Sequence, residues 1–139
     1  MKARYEIIDH TADVGIAAYG SDMAEAFASA ARGMFSLMVD IESVSDAVSQ
    51  TIDIHADNRE DLLVSWLNEM IYRCEVDGML FSRFEVNRLT HREMDATCYG
   101  ERIDPQRHRI KTGIKAATYH NVRIDKVDGG YRVQVLFDI

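Results

Sequence analysis

The sequence predicts an α+β fold, with mostly antiparallel or mixed β-sheets and two long α-helices packed on them in a single domain. Three observations carry this. About seven short stretches are rich in β-branched and aromatic residues or alternate apolar with polar ones, and two long stretches repeat apolar residues at helical spacing. The two kinds do not alternate strictly, as a doubly wound parallel sheet would require. The chain has 139 residues, 47% hydrophobic and 28% charged, with one proline, which suits one core and excludes intrinsic disorder.

Tyr5–Ile8 reads as a short strand, and Val14–Tyr19 as a second, with Val14, Ile16 and Ala18 on one face. Gly20-Ser21 supplies a turn and an N-cap. Asp22 and Glu25 then lie where the helix dipole favours anions. Phe27, Ala31, Met34 and Met38 recur at helical spacing, so a helix is predicted from about Asp22 to Val39. Thr51–Ala56 alternates as a half-buried strand. Asn58, with Asp61 three residues on, is the start of a second helix. Its apolar stripe, from Leu62 to Cys74, is broad enough to predict burial against a sheet, and it ends near Asp77-Gly78. Leu80–Leu89 and Glu93–Gly100 read as strands joined by a polar turn. Glu101–Thr112, highly charged and holding Pro105, reads as a mobile loop. Ile114–Tyr119, Val122–Val127 and Tyr131–Phe137 read as the last strands. Asp128-Gly129-Gly130 forms a hairpin turn between the latter two, because those positions must reach positive φ.

Charge narrows the function. There are 16 Lys plus Arg against 23 Asp plus Glu, a net charge of −7 with His neutral. A globally acidic chain is a poor stand-alone binder of phosphate backbones. A local basic patch is available around Arg102, Arg107, His108, Arg109, Lys111 and Lys115. No apolar window is long enough to span a membrane, and no apolar segment follows the N-terminus as a secretory signal would, so a cytoplasmic location is expected. Cys74 and Cys98 lack CxxC spacing and read as reduced, partly buried thiols. GxGxxG, Walker, GxSxG and HExxH patterns are all absent, which makes an enzyme the weaker class.

Two polar clusters could carry chemistry. Asp9-His10-Thr11-Ala12-Asp13 lies between the first two strands. Its side chains can bond loop N–H groups. They can also act as hard oxygen ligands if Asp138 and the α-carboxylate of Ile139 lie beside them. Three converging carboxylates need a cation or protons between them, and all-oxygen ligation favours Ca²⁺, Mg²⁺ or Mn²⁺ over Zn²⁺. The second cluster is Lys115-Ala116-Ala117-Thr118-Tyr119-His120. A strand there puts Lys115, Ala117 and Tyr119 on one face. It is either a site for a nucleotide or partner carboxylates, or an ordinary edge with a snorkelling lysine.

The run Tyr5-Glu6-Ile7-Ile8-Asp9-His10-Thr11-Ala12-Asp13-Val14-Gly15 resembles the archease family. Further segments agree in order and spacing: Ala24–Phe27 with Met34-Phe35, Leu62–Glu69, Lys115–His120 and the closing Phe137-Asp138-Ile139. The resemblance implies a non-catalytic cofactor protein of the RtcB-type tRNA-splicing RNA ligase, which itself uses GTP and Mn²⁺. Such a protein promotes guanylylation of the ligase, its nucleotide use and its multiple turnover, with at most indirect contact to tRNA. It also implies a calcium-type metal site at Asp13, Asp138 and the terminal carboxylate of Ile139. Asp9, His10, Lys115 and Tyr119 are the next functional candidates. A chaperone-like module that binds RNA-processing proteins or RNA without a metal is the competing expectation, and a self-sufficient metal-dependent hydrolase is a third.

Overall fold

The computed structural model describes residues 4–9 and 14–139. The elements follow in the order β1 (Arg4–Asp9), β2 (Val14–Gly20), α1 (Met23–Met38), a 3-10 turn (Ile41–Ser43), β3 (Val48–His55), α2 (Arg59–Asp77), β4 (Met79–Leu89), β5 (Glu93–Arg102), β6 (Ala116–Val127) and β7 (Gly130–Asp138). They form a four-stranded sheet, β1-β2-β7-β6, and a three-stranded sheet, β3-β5-β4. Every strand pair is antiparallel, which makes the fold α+β as expected.

The helix ends follow their capping chemistry. Asp22, not Ser21, is the N-cap of α1 and accepts the Glu25 N–H at 2.8 Å. Glu25 in turn accepts the Ser21 N–H at 3.2 Å, so the two acids satisfy donors on either side of the helix start. Asn58 caps α2 by accepting the Asp61 N–H at 2.9 Å. Gly78 ends α2 in the left-handed region at φ 67°, with its N–H on the Arg73 and Cys74 carbonyls.

Helix α1 lies across the gap between the sheets, packed on β2 of one and β4 of the other. Phe35 stacks on Phe84 at 5.8 Å and meets Phe81 edge-on at 5.9 Å, and Trp66 meets Phe84 edge-on at 6.2 Å. Trp66 Nε1 donates to the Phe27 carbonyl at 3.0 Å, so the buried indole ties α2 to α1 without leaving its polar handle unpaired. Burial of each such side chain is worth about 1.5–3 kcal/mol. The first half of α2 is buried, as its broad stripe predicts, while its last turns expose Tyr72 and Val76.

Two expectations change. The stretches at 114–119 and 122–127 form one strand, β6, with a register irregularity between Thr118 and Arg123. Asn121 within it sits at φ 58°, a left-handed residue that mimics a strand end in the sequence pattern. The segment after β5 is tied down where a mobile loop was expected. Ile103 N–H donates to the Gly78 carbonyl and Lys111 N–H to the Met38 carbonyl, both at 2.7 Å, and Ile110 bridges Val39. His108 is buried within it.

Candidate functional site

The pairing of the four-stranded sheet gathers the candidate residues at one end. A single row of Cα partners crosses all four strands, from Asp9 to Val14, Val14 to Phe137 and Phe137 to Ala117. Neighbouring strands lie about 4.8 Å apart, so this row spans about 15 Å. One step further, Asp138 pairs with Ala116, and its carbonyl accepts the Lys115 N–H at 2.8 Å. The end of β7 therefore lies between the start of β2 and the start of β6. Antiparallel pairing brings together residues that are more than a hundred positions apart in the chain.

Asp138 is exposed, and among the described residues its carboxylate has no ion-pair partner. Ile139 is half-exposed. His10 and Asp13 lie outside the described residues, as does the side chain of Asp9, whose backbone closes β1 opposite Val14. Lys115 is exposed and immediately precedes β6. Among the described residues, no three or more His, Cys, Asp or Glu side chains form a metal-holding group.

The expected common face of Lys115, Ala117 and Tyr119 does not form. Ala117 is buried while Lys115 and Tyr119 are exposed, because Lys115 precedes the strand and the irregularity after Thr118 breaks the pleat. Tyr119 instead reaches the N-terminal turns of α2. Partial desolvation, then the carboxylate of Asp61, raises its phenol above the usual range, with Ser65 hydrogen-bonded beside it.

Helix α2 supports this edge through a residue that the sequence pattern does not single out for a role. Asn68 Oδ1 accepts the Ala117 N–H at 2.8 Å, and its Nδ2 donates to the Ala117 carbonyl at 3.2 Å. The available signal is an amide between Leu67 and Glu69 on a helix whose stripe is apolar from Leu62 to Cys74. The polar edge is thus held by a half-buried helix, which limits how far the start of β6 can shift relative to the end of β7.

Residues 5–139 match the model of the archease protein family (MTH1598/TM1083). A protein archease of Methanosarcina mazei is 37% identical over 140 residues, spanning 98% of this chain and 96% of that protein. One of Sulfolobus acidocaldarius is 36% identical over 137 residues, spanning 98% and 99%. The solution structure of Methanobacterium thermoautotrophicum protein 1598 superposes with a TM-score of 0.84 at 33% identity, covering 97% of this chain and 98% of that one. The crystal structure of an archease, possible chaperone, from Thermotoga maritima shares the fold with a TM-score of 0.61 at 20% identity, covering 95% and 94%.

Proposed function

This chain belongs to the archease family, and from that membership we propose that it is a non-catalytic activator of an RtcB-type RNA ligase. In this role it promotes guanylylation of the ligase, its nucleotide use and its multiple turnover, in the cytoplasm. The observation that carries the reading is the sheet pairing that sets Val14 against Phe137 and the Asp138 carbonyl on the Lys115 N–H, because it draws the family-matching segments to one end of the sheet.

A divalent cation, Ca²⁺ first and Mg²⁺ or Mn²⁺ as alternatives, would be held by Asp13, Asp138 and the terminal carboxylate of Ile139. The donor chemistry fits, since Asp138 is exposed, has no ion-pair partner among the described residues, and offers hard oxygens to such an ion. Bound there, the ion would supply positive charge to phosphate oxygens during phosphoryl transfer on the ligase. The protein's own part is to dock and to present the Asp138 oxygens at the end of β7. Asp9, His10, Lys115 and Tyr119 would orient the partner or the ligands.

The test measures ligase guanylylation over several turnovers with Asp13→Ala and Asp138→Ala, beside calorimetric titration of Ca²⁺, Mg²⁺ and Mn²⁺. Stimulation should fall at least about 10-fold, together with metal affinity. Full stimulation by a folded variant would overturn the metal role. The second reading, a chaperone-like modulator, is favoured by the description of the Thermotoga maritima protein as a possible chaperone. Under it, activity survives chelation.

A further inference from the structure

We propose that the segment between β5 and β6 binds single-stranded RNA, with Arg109 and Lys111 holding neighbouring backbone phosphates. Positions 102–115 carry five of the sixteen cationic side chains of this acidic protein and a single carboxylate, Asp104. A concentration of cations on one segment makes a local positive field, and the charges elsewhere are screened beyond about 8 Å at physiological salt.

The segment displays these cations on a fixed support. Its ends are bonded to Gly78 and Met38, and Ile110 bridges Val39. Between them, the buried His108 is the anchor: Nδ1 accepts the Asp104 N–H at 2.8 Å, and Nε2 lies 2.9 Å from Glu101 Oε2. A support already ordered before binding spares the entropy that a free loop would lose.

Beside it opens a cleft of about 490 Å³ lined by Asp40, Ser43, Arg107, Arg109, Ile110 and Lys111. The charges there are not equivalent. Arg107 is committed to Glu101 and to Asp104, the latter at 3.5 Å. Asp40 opposes an anion, but its carboxylate already accepts the Glu42 N–H at 3.2 Å. Arg109 and Lys111 are exposed and have no carboxylate partner among the described residues. They flank the bridged Ile110 and both line this cleft, and two residues of extended chain span about 6.6 Å. That is the scale of successive phosphates along an extended strand. An acidic peptide would meet the same cations, and the polyglutamate arm of the test separates it from RNA.

The test is fluorescence anisotropy of a short labelled single-stranded RNA with the full chain alone, from about 50 to about 200 mM salt. Two phosphate contacts predict a log–log salt slope near −1.4, from about −0.7 per phosphate on single strands. The double variant Arg109→Gln with Lys111→Gln should weaken binding about 10-fold at the lowest salt and bring the slope close to zero. The exposed pair Arg123→Gln with Lys126→Gln on β6 should change neither. Circular dichroism melts verify that both variants fold. Wild-type protein that leaves the RNA free up to about 100 µM at about 50 mM salt overturns the proposal, as does a double variant that binds like wild type. Polyglutamate bound as tightly as RNA overturns it too, and assigns the cleft to acidic protein surfaces. No ligase or metal enters the assay, and Asp138→Ala should bind RNA normally, so this proposal and the ligase reading can fail separately.

Discussion

The side chain of Asn68 and the backbone of Ala117 hold each other through two hydrogen bonds, one in each direction. This reciprocal pair couples α2 to the first residues of β6, beside the end of β7. Asn68→Ala should cost about 1–3 kcal/mol, because it removes both partners from a partly buried peptide group. Asn68→Asp keeps the acceptor but sets a carboxylate oxygen against the Ala117 carbonyl, so its loss at neutral pH should be no smaller. Urea unfolding monitored by circular dichroism measures both.

Phe35, on the helix that spans the two sheets, is fully buried and packs against Phe81 and Phe84. Phe35→Ala should destabilise the protein by about 3–5 kcal/mol through lost burial and an unfilled cavity. The same urea titration should show its midpoint well below that of Asn68→Ala.

Glu101 gives stability a dependence on acid. The Ser45 N–H holds its carboxyl below the ordinary value of 4.5, and Arg107 and His108 add to this against the opposing effect of desolvation. A depressed folded-state value means that the contribution is whole above the unfolded value and is lost as pH falls through the folded one. Between about pH 5 and about pH 3, wild type should therefore lose more stability than Glu101→Gln. Thermal melts across that range should give a shallower decline for the variant.

Neither thiol is built for reaction. Burial pushes Cys98 up to about 12, with Arg73 working weakly against it, and burial followed by Glu75 raises Cys74. Disulfide-exchange reagents should label Cys98 only as fast as the protein opens, and labelling should become rapid in denaturant. Fast stoichiometric modification of the native protein at neutral pH would contradict this.

Both helices, the hairpin around Gly129 and most strands were legible because their signals are local. Caps lie within three residues of the donors they satisfy, and apolar spacing repeats every turn or every second residue. The continuity of β6 was not legible, since Asn121 at positive φ imitates a strand end and only pairing with β7 shows the strand continuing. The anchoring of 103–111 was equally hidden. Its hydrogen-bond acceptors belong to Gly78 and Met38, and nothing in a charged, proline-containing stretch announces them.

By itself the sequence determined the α+β class, the helices with their caps, and a family pattern running from Tyr5 to Ile139. Local backbone preferences and side-chain periodicity suffice for the elements, and a pattern of residue types needs no coordinates. Only the tertiary structure decided which strand lies beside which, that Asn68 clamps Ala117, and that Arg109 and Lys111 stand on a pinned ribbon. Those relationships come from long-range antiparallel pairing and from hydrogen bonds between distant residues, and neither leaves a periodic trace along the chain.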